Sequence, residues 1–200
     1  TFAGFNLGRL VSETANYGKE ISRLAQLSGV GVEQFQALSY GAERVGISTE
    51  KLADIYKDTQ DKVGDFVQTG GGALADFFEQ IAPKVGVTAE QFRKLNGADA
   101  LQLYVSSLQK ANLSQSDLIF YLEAIASDSS LLLPLLNNNG QAFNELAKEA
   151  EELGLVLQED VIAQSREFAD NLDRLEKLSG TLGKSVANAL IPALNDIAST

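Results

Sequence analysis

Apolar residues recur every three or four positions through most of the chain, and this spacing limits what the chain can fold into. Residues at that spacing lie on one side of an α-helix, where they can be buried together. The chain has only three prolines, and it is rich in residues that lose little side-chain freedom in a helix. The sequence therefore predicts an all-α protein. In the first long helix the apolar positions are Leu10, Ala15, Tyr17, Ile21, Leu24 and Leu27.

A short phrase separates the predicted helices. It begins with a glycine and an apolar residue, continues with a small capping residue and an acid or amide, and occurs as "SGVGVEQF", "VGISTEKL" and "VGVTAEQF" at 28–35, 45–52 and 85–92. The glycine can take the left-handed conformation that ends one helix, and a Ser or Thr oxygen can cap the next. Ser48, Thr88 and Ser114 are the predicted caps, and Thr88 with Gln91 forms a predicted capping box. Because the phrase is irregularly spaced, it predicts helical hairpins over residues 1–157 rather than a solenoid.

The stretch "SSLLLPLLNNNG" at 129–140 is too short to span a membrane. Pro134 rules out an uninterrupted helix unless it lies in the first turn. We expect Ser129 or Ser130 to cap a short helix that Asn137–Gly140 ends. This short helix would pack beneath the helix 141–153, and its buried residues would be Leu131, Leu132, Leu135 and Leu136.

Two other segments carry structural predictions. "DLIFYLEAIA" at 117–126 is the most apolar of the helical stretches, which favours a core helix, with a partner-binding groove as the alternative. "QTGGGALADFF" begins with three glycines at 70–72. These predict a flexible loop or an internal boundary at 68–73.

The C-terminal segment 158–200 is predicted to be one long amphipathic helix that continues beyond residue 200. Its positions step by four and three residues, as in a coiled-coil seam that is broken at Ser179, and charged residues flank them. A helix with such a stripe needs a partner, which would be the earlier hairpins or another copy of itself. The seam residues are Phe168, Leu172, Leu175, Leu182, Val186 and Ala189.

The composition excludes several functional classes. The 16 Lys and Arg against 27 Asp and Glu give a formal net charge of -11, which disfavours direct nucleic-acid binding. The chain contains no Cys and no His, so it lacks thiol nucleophiles, disulfides, the usual zinc ligands and the imidazole base of most hydrolytic triads. No cofactor is expected. The chain also contains no Met and begins with Thr1, which suggests a piece of a longer or processed protein.

Two residue patterns raise the possibility of catalysis. "GTLGKS" at 180–185 resembles the end of a phosphate-binding loop, but Leu178 stands where that loop requires a glycine. Paired carboxylates can hydrolyse glycosidic bonds without histidine. The candidate acids alternate with Ala and Leu, as on the solvent side of a helix. They are Glu145, Glu149, Glu151, Glu152, Glu159 and Asp160.

Two long blocks together resemble the central region of phage or prophage tail tape measure proteins. The first is "LAQLSGVGVEQFQALSYGAERVGISTEKL" at 24–52. The second runs from "LLLPLLNNNG" through "LGLVL" to "ALIPAL" within 131–198. The blocks cover about half of the chain and occur in the order of that family. Gln158 departs from the Ser or Thr expected as the cap of the long helix.

The resemblance implies a long helical protein in the lumen of the tail tube, made in the bacterial cytoplasm. Such a protein sets tail length, scaffolds polymerisation of the tube and leaves on DNA ejection. The implied partners are further copies of the chain, the tail tube protein, tail tip or baseplate proteins and assembly chaperones. The resemblance implies no enzyme activity for this segment. Two alternatives remain: a fragment associated with a peptidoglycan hydrolase of the tail, and a generic helical partner-binding module.

Overall fold

The computed structural model describes the backbone of residues 7–182 and the side chains of residues 9–175. Within these ranges the chain is helical and contains no strand, which confirms the predicted all-α class. The α-helices are α1 (Leu7–Ser28), α2 (Val32–Glu43), α3 (Thr49–Thr69), α4 (Ala82–Val85), α5 (Ala89–Phe92), α6 (Gly97–Lys110), α7 (Gln115–Ile125), α8 (Leu133–Glu152) and α9 (Glu159–Leu182). A π-helix (Phe77–Ile81) precedes α4, and a 3-10 helix (Ser129–Leu132) precedes α8.

The recurring phrase ends and starts helices as predicted. Its glycines, Gly29, Gly46 and Gly86, have φ values of 65°, 84° and 73°, a region that glycine enters without steric cost. The Ser48 hydroxyl accepts the Lys51 amide at 3.2 Å. Caps at Ser114 and Thr88 are also formed, and the Thr88 amide donates to Gln91 Oε1 at 2.8 Å to complete the capping box.

The contacts divide the described residues into two units. One unit comprises residues 20–159, and the other comprises residues 7–19 with 160–182. In the larger unit, α2 packs against α8 and α3, and α6 packs against α3 and α8. Its core is made of buried apolar and aromatic side chains, among them Phe35, Leu52, Ile55, Tyr56, Leu101, Tyr104, Leu108 and Leu122.

Two glycines let helices of the larger unit approach closely. A Cβ at Gly97, in the first turn of α6, would lie 2.5 Å from the Tyr56 carbonyl oxygen of α3. A Cβ at Gly41 of α2 would lie 3.0 Å from the Phe143 ring of α8. Their missing side chains therefore permit the α3–α6 and α2–α8 packing.

Aromatic rings fill the space between the π-helix and α6. Phe77 lies 4.5 Å from Tyr104 and 5.9 Å from Phe92, measured between ring centroids. Phe78 stacks on Phe66 at 4.1 Å. These contacts fix the short helices that follow the glycine-rich segment.

The three glycines at 70–72 form a turn within the larger unit. Gly70 ends α3 at φ 70°, and the Gly71 amide donates to the Thr69 hydroxyl at 3.1 Å. Gly72 also has a positive φ, 79°. The position of the turn between two helices agrees with the glycine pattern, while its flexibility stays a prediction.

The leucine-rich stretch folds differently from the prediction in two respects. Leu132, Leu135 and Leu136 are buried, but Leu131 is 48% exposed because it lies on the outer side of the 3-10 helix. Neither Ser129 nor Ser130 is a cap, because Asp128 and Leu132 occupy the cap positions of the 3-10 helix and of α8. The Ser129 hydroxyl is buried and donates to the Leu122 carbonyl at 2.7 Å.

The asparagines end the first part of α8 as predicted. Asn137 is extended, and Asn138, Asn139 and Gly140 are all left-handed, with φ values of 52°, 58° and 74°. Asn is among the few residues other than glycine that enter this region readily. The Gln102 side chain donates to the Leu136 carbonyl at 3.1 Å, and Ser106 donates to the Asn139 side chain at 3.3 Å. Side chains of α6 therefore hold the break in place.

The start of α9 is organised by α2 and not by Gln158. The buried Gln36 side chain donates to the Leu157 carbonyl at 2.8 Å and accepts the Leu157 amide at 2.9 Å. Glu33 accepts the Glu159 amide at 3.4 Å. Hydrogen bonds from Gln36, which lies 121 residues before Leu157 in the sequence, thus compensate for the unfavourable capping residue Gln158.

The predicted burial of the first helix is only partly correct. Ala15, Ile21 and Leu24 are buried. Leu10, Tyr17 and Leu27 are exposed, although they continue the apolar spacing. The buried positions therefore form a narrower stripe than the sequence pattern indicated.

A pair of glycine substitutions tests the close packing of α6 on α3. Gly97→Ala should lower the free energy of unfolding by about 2 kcal/mol or more, because the added methyl group would meet the Tyr56 backbone. Gly64→Ala, in the interior of α3 with open space around it, should raise the free energy by about 0.5–1 kcal/mol. Urea unfolding followed by circular dichroism measures both changes. Equal effects of the two substitutions would contradict the packing described here.

Candidate interaction surfaces

Helix α7 is apolar but only partly buried. Leu122 and Ile125 are fully buried, whereas Ile119 is 41% exposed and Phe120 is 62% exposed. We call Ile119 and Phe120 the α7 face. The prediction of a core helix is therefore correct for one side of α7 only, and the α7 face is open to solvent.

Buried polar contacts fix the inner side of α7. The Tyr104 hydroxyl of α6 donates to the Tyr121 carbonyl at 2.9 Å, and the Ser129 hydroxyl donates to the Leu122 carbonyl at 2.7 Å. Burial raises the pKa of Tyr104 well above its ordinary value, so this hydroxyl keeps its proton. The orientation of α7 is thereby set, and the α7 face points away from these contacts.

Glu123 organises the turn that follows α7. Its carboxylate accepts the amides of Asp128 at 3.0 Å and Ser130 at 3.4 Å. Burial raises the pKa of Glu123, but the hydrogen bonds from Ser130 and Asp128 outweigh it and bring the pKa below its ordinary value. Asp128 in turn forms an ion pair with Lys51 of α3 at 2.7 Å. Leu131, which follows Ser130, adds a further exposed apolar side chain near the end of α7.

The charge around the α7 face has one sign over a long segment. Residues 111–147 contain no Lys or Arg, and their charged residues are Asp117, Glu123, Asp128 and Glu145. Asp117 precedes Phe120 by three positions and Glu123 follows it by three, so both carboxylates lie on the side of α7 that carries Phe120. The α7 face is therefore an apolar surface between two acids.

The predicted seam lies on α9, in the smaller unit. Phe168 and Leu172 are half-buried, and Leu175 is 38% exposed. Leu182 is the last residue of α9 whose backbone is described. Val186 and Ala189 lie outside the described residues. The three seam residues with described side chains are therefore each partly open to solvent.

Within the smaller unit, α1 and α9 meet at a glycine. A Cβ at Gly18 would lie 2.6 Å from the Ile162 side chain, and Arg166 donates to the Gly18 carbonyl at 2.7 Å. Ile162 is buried. The side of α9 that carries Ile162 and Arg166 is thus packed against α1.

Two of the six candidate catalytic acids, Glu145 and Glu149, make structural contacts. All six lie in or next to helices with their side chains exposed. Glu149 accepts the Tyr40 hydroxyl at 2.7 Å and lies 3.6 Å from Arg44, which links α8 to α2. Glu145 accepts the Gln141 side chain at 2.8 Å within α8. These contacts account for the positions of Glu145 and Glu149.

A polar cleft of about 250 Å³ lies beside the break in α8. Its walls include Gln34, Asp99, Gln102, Asn139 and Asn144, with Tyr56 and Phe143 contributing aromatic surface. The Gln102 and Asn139 side chains are already hydrogen-bonded to Leu136 and Ser106. The cleft is therefore best explained by the contacts that hold the left-handed break.

Two other kinds of site concern the described part of the chain, a metal site and a membrane span. Among the side chains of residues 9–175, no group of three or more acidic residues is arranged to hold a metal ion. No single helix in residues 7–182 is long and apolar enough to span a membrane. Helix α7 and the segment Ser129–Glu152 have the required length and apolar composition only when taken together, and the chain bends by 118° between them. Of the "GTLGKS" segment, residues 180–182 are helical and belong to α9, and residues 183–185 are not described.

No protein-family model, curated protein or solved structure gives a significant match to this chain.

The pKa of Glu123 predicts a pH-dependent contribution to stability. A carboxyl group whose pKa is lower in the folded state than in the unfolded state stabilises the fold above the unfolded pKa, about 4.3, and this stabilisation is lost as the pH falls through the folded pKa. Because Glu123 is exposed and solvent screens its charge, Glu123→Gln should lower the free energy of unfolding by at most about 1 kcal/mol at pH 7, and by less below pH ~4. Urea unfolding at several pH values measures this difference.

Glu145→Gln is the control for net charge, because it removes a carboxylate from α8 without touching the turn. If Glu123→Gln lowers the free energy of unfolding by the same amount at neutral and acidic pH, the role assigned to Glu123 is contradicted.

Proposed function

We propose that this chain is a structural and assembly segment of a phage or prophage tail protein of the tape measure kind, and that it is not an enzyme. The ordered resemblance of the blocks at 24–52 and 131–198 motivates the proposal. The all-helical fold of residues 7–182 is compatible with it. The observation that carries the proposal is the partly exposed apolar stripe of α9.

The α9 stripe favours a helix that associates with other helices. Phe168, Leu172 and Leu175 are spaced by four and three residues, which places them on one side of α9. Each of the three side chains is partly exposed to solvent. A partner helix that covered them would bury apolar surface, which stabilises the association. Two copies of α9 side by side would bury this stripe. A protein that extends along a narrow tube in a small number of copies requires such side-by-side contacts between parallel helices.

The proposal places the chain in the lumen of the tail tube, after synthesis in the bacterial cytoplasm. Its partners would be further copies of itself, the tube protein, tip or baseplate proteins and assembly chaperones. The net charge of -11 repels DNA phosphates. A chain with this charge that shares a channel with DNA would therefore not bind the DNA. This property suits a protein that leaves the tube on ejection.

The alternative of a peptidoglycan hydrolase is less well supported. Glu149 is engaged by Tyr40 and Arg44, and Glu145 is engaged by Gln141. Zymography on peptidoglycan separates the two proposals: clearing by the wild-type chain that disappears with Glu149→Gln would establish the hydrolase.

The proposed association through α9 predicts a charge-sensitive oligomer. Leu172→Asp should convert the wild-type oligomer into a monomer, because a buried unpaired carboxylate at a helix–helix interface is strongly unfavourable. The neighbouring exposed residue offers a matched control: Asn171→Asp adds the same charge beside the seam and should leave the oligomer intact. Multi-angle light scattering measures the molar mass.

Circular dichroism of both variants verifies that the helices remain. A dissociation constant above ~100 μM is weaker than that of typical specific association. A wild-type chain that is still a monomer at this concentration would therefore contradict the proposed contact.

A further inference from the structure

We propose that the α7 face, Ile119 and Phe120, is the docking site for a cationic amphipathic helix of another protein. Phe120 is 62% exposed on the side of α7 opposite the fully buried Leu122 and Ile125, and Ile119, next to the buried side, is 41% exposed. Aromatic side chains, Phe among them, are enriched at the buried centres of protein interfaces. The inference depends on α7 alone and holds whether or not the chain belongs to a phage tail.

Hydrogen bonds within the chain fix the α7 face before a partner binds. Contacts of Tyr104 and Ser129 with the α7 backbone fix the helix from its inner side. Glu123 fixes the turn after it through the Asp128 and Ser130 amides. A partner would therefore meet a rigid surface, and little ordering entropy would be lost in binding.

The charges near the α7 face select the chemistry of the partner. Asp117 and Glu123 lie three residues before and after Phe120, on the same side of the helix. Residues 111–147 supply no basic side chain that could neutralise them locally, although Lys51 of α3 pairs with Asp128. A helix with a central apolar stripe and Lys or Arg on both flanks complements this surface in shape and in charge.

The same charges disfavour two other occupants. Pairing the α7 faces of two copies of this chain would bring Asp117 and Glu123 against the same acids of the other copy. An anionic membrane surface would be repelled by these carboxylates. A basic protein segment therefore fits the α7 face better than a self-contact or a lipid surface.

The test uses a synthetic peptide of about 18 residues built from Leu, Ala and Lys, with Leu at helical spacing on one side, long enough to fold on binding. A dye on the peptide reports binding to the full chain by fluorescence anisotropy. We expect micromolar binding that weakens as salt is raised, because the flanking charge pairs are exposed. A peptide of the same composition with the Leu positions scrambled should bind at least about tenfold more weakly.

Two substitutions assign the binding to the α7 face. Phe120→Ser should weaken binding at least about tenfold, which is the usual result of removing an aromatic anchor. Leu153→Ser, at an equally exposed apolar residue after α8 (60% exposed), should leave the affinity unchanged. Asp117→Asn keeps an acceptor for Ser114, and it should reduce the salt dependence.

Each other outcome overturns the proposal. These outcomes are no binding by the wild-type chain, equal binding by the Phe120→Ser and Leu153→Ser variants, and equal binding of the scrambled peptide. Flotation of the chain with phosphatidylcholine–phosphatidylglycerol vesicles that requires Phe120 would identify a membrane surface instead. A wild-type dimer that Phe120→Ser abolishes would identify a self-contact.

Discussion

The larger unit depends on the left-handed break inside α8. Residues before the break contact α6, where Gln102 binds the Leu136 carbonyl, and residues after it contact α2, where Phe143 packs on Gly41. A straight helix could not make both contacts. Left-handed residues other than glycine cost roughly 1–2 kcal/mol each. Two such residues, Asn138 and Asn139, occur here, and the hydrogen bonds from α6 together with the buried leucines offset that cost.

This arrangement also determines which surfaces remain open. With α8 packed on α2 and α6, helix α7 is joined to the unit by its inner side and by the turn at 128–130. The α7 face then has no neighbour among the described elements that buries it, as its exposure shows. The acids Asp117 and Glu123 that flank it serve local capping and turn contacts. The same side chains therefore stabilise the fold and give the open surface its charge.

Local features of the fold were predictable from the sequence, whereas contacts between distant residues were not. Glycine followed by Ser or Thr marks helix ends through short-range geometry, and Gly46 with Ser48 follows this rule. The clamp of Gln36 on Leu157 spans 121 residues, and nothing in the neighbourhood of either residue indicates it. Apolar spacing identified α7 as a helix, but spacing alone does not tell whether a partner side chain within the chain covers Phe120. Leu131 was misplaced because a 3-10 turn, with three residues per turn, rotates it away from the core.

The proposed function rests on length as well as on surfaces, because a tape measure acts through the number of residues it lays along the tube. The most direct measurement is the tail length, by negative-stain electron microscopy, of virions whose gene carries extra in-frame copies of residues 158–182. The account predicts tails that lengthen by about 1.5 Å for each added helical residue. Tails of unchanged length that contain the lengthened protein would contradict it.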